Sequence, residues 1–595
     1  MGDDFQSDQD FALGVEDFPS EREYQLHCLR HSTSHIMAAA VQQLFPEVKF
    51  GIGPPVKNGF YYDMQLARPL TPEDLEQVEG RMREIVKANL EFQQETWDKE
   101  KAREFFGARH QDFKIELING IAGDAVSTYR IGDFTDLCAG PHVRRTGQCK
   151  HFRLTSIAGA YWRGNERNPM LQRIYGTVWP TRDELEEYLR NLEEAKRRDH
   201  RKLGRELELY MTHEWSPGVP FWLPKGTVIY HTLQEKVRRL LMHNGYVEVK
   251  APLLGSENLF KTSGHWGHYK ENMFIVTDEA GDDYGLKPMN CPMHMLIFGA
   301  KRRSYRELPL RLSEQSVLHR NERTGALAGL TRVRQFQQDD AHIFLTEDQI
   351  GEEVTRLLGL LGRVYDAFGM SYRYVLSVRG EDGSKYMGDP ALWDRAEALL
   401  AQALEANGLE YTVEKGEANF YGPKIDQMVA DSLKREHQLG TIQLDFQLPR
   451  QFNLSYVNAE NSESVPVVIH RALHGSFERF IAMLIEHYAG AFPVWLAPVQ
   501  AKVLSISEKT ADYAREVYER LAAADLRVEL DVRDDKIGAK IRDAQLEKVP
   551  YMLVVGAKEA EARAVAVRSR EKGDEGAVPL EEFAARIKSE ADFNY

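Results

Sequence analysis

The spacing of apolar and polar positions changes along the chain, and each change marks an element. Arg332-Val333-Arg334-Gln335-Phe336-Gln337-Gln338 alternates at period two, which predicts a half-buried strand. In the stretch from Leu318 onward, Arg320-x-Glu322 and then a Gly-bearing turn at 324–330 precede it, and polar–Gly–polar between two such runs predicts an antiparallel hairpin with a longer loop. From Phe477 the period becomes helical. Phe477, Phe480, Ile481, Leu484, Ile485 and Tyr488 form one stripe, and Arg479 falls on the other side. Residues 224–242 predict a helix ending near Asn244-Gly245, and 246–250 a strand stopped by Pro252. After Pro493 the stretches 501–505, 510–523, 528–531, 537–549 and 551–555 alternate β-α-β-α-β, which predicts an α/β domain around a parallel sheet.

The N-terminal third reads as α+β. His31 to Val41 is helical in pattern and sets His31 and His35 one turn apart on one face. Residues 51–64 are punctuated by Gly and Pro and predict short strands and turns. Thr71-Pro72 is a helix start, with Thr71 as N-cap and Pro72 in the first turn. Thr181-Arg182-Asp183-Glu184 is a capping box. It opens a charged helix with Glu186/Arg190, Glu193/Arg197 and Glu194/Arg198 spaced to pair, leading into His200-Arg201-Lys202-Leu203-Gly204.

Bulk composition narrows the classes. A chain of 595 residues with 43% apolar content has material for about four domains. A formal charge of -15 argues against a protein that coats nucleic acid indiscriminately, while leaving a local basic surface open. Four cysteines, Cys28, Cys138, Cys149 and Cys291, are too few for a disulfide framework and suit a reducing cytoplasm. The acidic first 22 residues lack a basic-then-apolar signal and read as a disordered leader. No apolar run reaches the length of a membrane span. Neither a GxxxxGK[ST] loop nor a GxGxxG turn is present.

Arg320, Arg332 and Arg334 gather on the predicted hairpin. Clustered guanidinium forks suit phosphate or carboxylate, and a strand laced with surface salt bridges fits the same residues equally well. Cys291, His342 and His470 are too far apart for spacing to signal a metal, and spacing alone favours a buried thiol and hydrogen-bonded imidazoles. His31, His35, Cys138 and His142 come as HxxxH on a helix and CxxxH near a turn, a donor set that also fits zinc.

Arg320-Asn321-Glu322, the loop and Arg332-Val333-Arg334 together resemble motif 2 of class II aminoacyl-tRNA synthetases. Gly475-Ser476-Phe477-Glu478-Arg479-Phe480 resembles motif 3, and the helix–strand–proline order over 224–252 resembles motif 1. The class I signatures HIGH and KMSKS are absent. Gln338-Asp339-Asp340-Ala341-His342, with Lys287-Pro288-Met289-Asn290-Cys291-Pro292, resembles the threonyl-tRNA synthetases in particular, and the likeness runs from about Glu23 onward. Met293 stands where that family usually has glycine, and the residues before Glu23 are too few for the family's small ubiquitin-like domain.

The resemblance implies an α+β multidomain fold: the leader at 1–22, an editing domain at 23–180, a linker helix at 181–204, an antiparallel-sheet catalytic domain at 205–495 and an anticodon-binding domain at 496–595. It implies ATP-dependent joining of threonine to tRNA(Thr) through threonyl-adenylate, with hydrolysis of mischarged seryl-tRNA, by a cytoplasmic homodimer that uses no membrane. By the same resemblance Arg320 contacts the α-phosphate of ATP, Glu322 and Phe336 the adenine, and Arg332 and Arg479 the outer phosphates together with Mg²⁺. Gln338, Asp340, Tyr421, Lys424, Gln443 and Ser476 line the pocket, Asp340 towards the threonine hydroxyl, and Cys291, His342 and His470 hold one Zn²⁺. His31, His35, Lys114, Tyr129, Asp136, Cys138 and His142 match the editing pocket, without a catalytic metal, and Glu559 and Arg568 the anticodon contacts. The basic run 196–202 reads as a solvated face, with tRNA as its alternative partner.

Two rival readings share parts of this pattern. A seryl or prolyl ligase of the same class would not need the Cys291/His342/His470 set. An inactive paralogue that binds RNA as a regulator would not need Arg320 and Arg479 intact.

Overall fold

The computed structural model describes residues 13–165, 167–432, 434–593 and 595. They form two compact units that divide between Glu193 and Glu194. Of the expected leader, residues 1–12 lie outside the described residues. The rest is ordered as a short turn at Val15–Asp17 and the start of the helix Glu21–Leu44, where the Ser20 hydroxyl accepts from Glu23 N.

In the first unit that helix is buried continuously from Cys28 to Val41. It therefore carries polar residues inside a core, and its three hydroxyls find partners close by. Thr33 Oγ1 donates to Leu29 O at 2.7 Å, Ser34 Oγ donates to Gly53 O at 2.7 Å, and Ser32 Oγ accepts from Val143 N at 2.9 Å. The helix packs with Pro72–Ala88 and with an antiparallel sheet ordered Lys49–Phe50, Gly59–Gln65, Met170–Trp179, His151–Tyr161. A second sheet is made of Gln93–Asp98, Ala125–Ile131 and Phe134–Leu137. Thr71 caps Pro72–Ala88 as its sequence predicts.

Thr181 and Glu184 exchange both capping-box bonds, at 3.2 and 3.3 Å. The expected linker helix is two helices, Arg182–Arg198 and His200–Glu206, because Asp199 leaves helical geometry to cap the second. Glu194 pairs with Arg198 at 2.6 Å as expected, whereas Glu186 pairs with Arg182 at 2.7 Å, one turn before it.

The second unit is organised on an eight-stranded sheet. Its order is Val247–Glu248, Leu310–His319, Gln335–Leu345, Val467–Ala472, Glu436–Asp445, Lys424–Ala430, Tyr372–Val378, Tyr411–Lys415, antiparallel except at the two outer pairs. The strand expected at 246–250 shortens to Val247–Glu248. The predicted hairpin runs from Leu310↔Phe344 to His319↔Gln335. Alternation at Arg332–Arg334 thus belongs to the loop end, and pairing begins only at Gln335. Alternate residues of Gln335–Leu345 face opposite sides. Ala341, Ile343 and Leu345 join the helical core of Pro224–His243, Ile350–Ala367 and Phe477–His487, while Asp340 and His342 face the cavity described below. Register then carries one row across four strands: His342 opposes His470, His470 opposes Gln443, and Gln443 opposes Lys424. With strands about 4.8 Å apart, side chains in such a row are neighbours.

The C-terminal part of this unit carries the predicted β-α-β-α-β. Ala501–Ser505 lies between Val528–Asp531 and Tyr551–Val555, all parallel. Two strands that the periodicity missed, Ala564–Ser569 and Gly573–Pro579, extend the sheet antiparallel.

Candidate active sites

The second unit holds a cavity of about 340 Å³ between the hairpin and Phe477–His487. Its rim brings Arg320, Arg332 and Arg479 together. Arg479 sits one turn into a helix capped by Ser476, whose hydroxyl accepts from Arg479 N, and its Nε donates to Thr331 O at 3.1 Å. Burial, and then the nearby Arg320 and Arg332 cations, hold the Arg479 pKa below its usual value. A partly desolvated cluster of three cations is electrostatically incomplete until an anion enters. Within it Glu322 pairs with Arg332 at 3.4 Å. The Arg320 guanidinium lies 5.0 Å from the Phe336 ring centroid. Arg334 points elsewhere: its side chain donates to Glu322 O at 3.0 Å and Thr324 Oγ1 at 3.3 Å, so it braces the loop.

At the other end, ligand atoms of Cys291, His342 and His470 lie within 4.8 Å of one another, all buried. His342 Nδ1 is 2.9 Å from His294 Nδ1, and His470 Nε2 is 2.9 Å from Asp445 Oδ2. These bonds leave Nε2 of His342 and Nδ1 of His470 to face a ligand. Burial, then neighbouring His470 and His294, keep the His342 imidazole neutral, and burial raises the Cys291 thiol. Two imidazoles and one sulfur form a donor set that fits Zn²⁺ with a position left open. Asp340 Oδ2 accepts from Asn290 Nδ2 at 2.9 Å, Tyr421 donates to Gln443 Oε1 at 2.6 Å and stacks on His470, and Lys424 is ion-paired with Asp426. Gln338 faces Ser476 in an isolated bridge at the wall. Gly475 begins the turn into this helix with φ +72, a conformation that favours glycine.

The first unit holds a separate cavity, also about 340 Å³, walled by His31, His35, Tyr62, Lys114, Asp136 and Cys138, with Trp162 and Arg163 among its other residues. Lys114 Nζ is 2.5 Å from Asp136 Oδ1 and 2.9 Å from the Tyr62 hydroxyl, which donates to Asp136. Burial pushes the Asp136 carboxyl up, but Lys114 and His35 outweigh it and hold the group below the usual carboxylate range. Burial lowers His35 to about 4. Cys138 Sγ lies 3.3 Å from His31 Nε2 and 3.2 Å from His142 Nε2. Tyr129 packs edge-on against His142 with centroids 4.4 Å apart.

Residues 274–488 match the family model for the tRNA synthetase class II core domain (G, H, P, S and T), 494–590 that for the anticodon binding domain, and 126–175 that for the threonyl and alanyl tRNA synthetase second additional domain. The chain is 50% identical over 578 residues to the threonine–tRNA ligase of Anaeromyxobacter dehalogenans, covering 95% of this chain and 88% of the relative. It is 51% identical over 560 residues to that of Acetivibrio thermocellus, covering 94% and 87%. The chain belongs to the threonine–tRNA ligase family. Its fold matches a crystal structure of the RNA binding domain of threonyl-tRNA synthetase from Cryptosporidium parvum, with TM-score 0.64 and 45% identity over 66% of this chain and 98% of that one. A putative threonyl-tRNA synthetase from Aeropyrum pernix matches with TM-score 0.58 and 29% identity over 66% of this chain and 96% of that one.

In this threonine–tRNA ligase family member, every residue expected at the ATP and threonine ends lines one cavity. The residues expected at an editing site gather in the other unit, with Tyr129 and His142 behind the wall. Arg568 lies on Ala564–Ser569 and pairs with Asp574 at 3.8 Å, while Glu559 caps Ala557–Ala562 by accepting from Gly556 N at 2.9 Å. Several neighbours were missed from sequence. Tyr62 and Trp162 at the first-unit cavity are ordinary aromatics in a strand pattern. His294, behind His342, was legible: it follows Cys291 by three positions on the helix Cys291–Gly299 and so shares its face. His294 Nε2 in turn is 3.2 Å from Glu314 Oε2, which lies 3.3 Å from Lys287 Nζ. His265 is fully buried 3.7 Å from Cys291 Sγ.

Proposed function

We propose that this chain joins L-threonine to tRNA(Thr) with ATP through threonyl-adenylate, and hydrolyses seryl-tRNA(Thr) at a second site. The observation that carries the reading is one cavity uniting Arg320, Arg332 and Arg479 with the Cys291/His342/His470 donor set. In this reading the threonine carboxylate attacks the α-phosphorus, pyrophosphate leaves, and the terminal 3′ ribose hydroxyl of the tRNA then takes the aminoacyl group. Arg320 neutralises charge at the α-phosphate, and Arg332 and Arg479 hold the outer phosphates of the Mg²⁺-bound nucleotide. Glu322, Phe336 and Gln443 hold the nucleoside end, and Gln338, Asp340, Tyr421, Lys424 and Ser476 orient threonine. The protein's part is positioning and charge stabilisation. Cys291, His342 and His470 would hold one Zn²⁺, which when bound would offer open coordination to the amino and hydroxyl groups of threonine.

A missing methyl is worth only about 1–3 kcal/mol, too little to exclude serine, so a hydrolytic site is needed. His31, His35, Lys114, Tyr129, Asp136, Cys138 and His142 serve it, and Glu559 and Arg568 read the anticodon. The segments are those of the resemblance: editing at 23–180, linker at 181–204, catalysis at 205–495 and anticodon binding at 496–595. Two copies pair through Pro224–His243 and Val247–Glu248, where Met242 is 59% exposed and Val247 49%. Among the described residues no helix is long and apolar enough to cross a membrane, and the reading is of a cytoplasmic enzyme.

ATP–pyrophosphate exchange with threonine, serine, valine and proline tests the reading. Threonine should drive exchange most strongly. Exchange with serine alone or proline alone would indicate a sister ligase, and none with any amino acid an inactive paralogue. Metal analysis should find a single zinc per chain. Two, one of them lost in Cys138→Ala, would place His31/His35/Cys138/His142 in the metal-dependent editing class. His294→Ala should weaken zinc retention against a chelator by about 10–100-fold, since a group that orients a ligand tunes its affinity. Unchanged retention would mean that His342 is oriented by something else.

A further inference from the structure

His200 opens the helix His200–Glu206, is 6% exposed, and uses both ring nitrogens. Nδ1 lies 2.6 Å from Glu486 Oε1, an acceptor, so Nδ1 carries the proton. Leu330 N donates to Nε2 at 3.1 Å, so Nε2 is bare. The two bonds together select one neutral tautomer. Glu486 lies at the end of Phe477–His487, the helix that supplies Arg479, and is also ion-paired with Arg435. Leu330 is fully buried in the loop that joins the two hairpin strands.

That loop is gripped at consecutive residues. His200 takes Leu330 N, and Arg479 takes Thr331 O at 3.1 Å. Thr331 and Arg332 line the cavity assigned to ATP. Gly329 lets the loop come this close: its φ is +53, and a Cβ there would sit 2.2 Å from His200 Nε2. Asp199, His200 and Glu486 are near enough to bind a cation, but both imidazole nitrogens already have partners and Asp199 is paired with Arg201 at 2.5 Å.

We propose that His200 is a positioning residue for the nucleotide cavity: by accepting from Leu330 N it holds the loop so that Arg332 is presented to the outer phosphates. The proposal rests on the ligase reading above for the identity of the nucleotide. His200→Asn keeps a donor near Nδ1 but cannot reach Leu330, whereas His200→Gln places an acceptor where Nε2 was. ATP affinity of the full chain, measured by calorimetry beside a thermal melt, should fall about tenfold in His200→Asn, the loss expected for one ordering hydrogen bond. It should stay within about twofold of wild type in His200→Gln, with both variants melting alike. Equal ATP affinity in the two variants would overturn the proposal. Gly329→Ala probes the contact from the loop side and should cost less affinity in His200→Asn than in wild type. Additive losses would also count against the tether. Threonine-dependent exchange by wild type separates the two readings. Exchange with no Asn/Gln difference leaves the ligase assignment standing and removes the tether, and an Asn/Gln difference without exchange does the reverse.

Discussion

His342→Ala is expected to abolish threonine-dependent ATP–pyrophosphate exchange, by about 10³-fold or more, and to lower the melting temperature by only a few degrees. The substitution removes one of three donors from a buried set and leaves Nδ1 of His294 without its partner, a local cost of about 1–3 kcal/mol. The functional cost is larger because of what the site must distinguish. Valine and threonine have nearly the same shape, so packing separates them poorly. A site that pairs with a hydroxyl rejects the isostere that lacks it by about 10⁴–10⁵-fold, because its own polar groups would be left unpaired. Serine keeps the hydroxyl, which is why a proofreading site is needed for serine and not for valine. The measurements are exchange with threonine and with valine, zinc content, and a melt of each protein. A variant that melts far below wild type, or a wild-type enzyme that activates valine as readily as threonine, would show that the donor set serves stability and that selection lies elsewhere.

The His35→Ala/Cys138→Ala double variant should accumulate seryl-tRNA(Thr) while charging threonine at the wild-type rate. Deacylation of preformed seryl-tRNA should fall by about 10²–10⁴-fold, the range for loss of groups that move or orient protons. The structural ground is that both residues wall the first-unit cavity, where Cys138 touches His31 and His142 and His35 stands 3.8 Å from Asp136. The residues proposed for the synthetic reaction lie in the other unit. Deacylation unchanged in the double variant would remove the editing assignment. A parallel fall in threonylation would mean that the substitutions act through folding.

The sequence by itself determined the elements whose signals are local. Thr71, Thr181 and Ser476 cap helices because a side-chain oxygen within three residues of an orphan N–H needs nothing from the rest of the chain. The β-α-β-α-β core was legible from period alone, and the hairpin in outline, although the alternation at Arg332–Arg334 belongs to its loop. Gly573–Pro579 was not, because a charged, Gly-bearing stretch takes up pairing only when Ala564–Ser569 offers an edge; Ala564-Val565-Ala566-Val567 itself carries a strand signal that the periodicity reading passed over. The arginine cluster and the Cys291/His342/His470 set were legible as a resemblance and not as spacing. Nothing between positions 291, 342 and 470 says that they meet. Tertiary structure decided that, through strand register: His342 opposes His470, and His470 opposes Gln443, whereas a slip of one residue would turn His342 into the helical core and Ile343 out of it. It also decided that Arg334 braces the loop while Arg332 faces the cavity, and that His200, remote in sequence from both motifs, closes on Leu330. Register and loop closure are fixed by the whole set of paired strands and buried faces, so no local window of the sequence contains them.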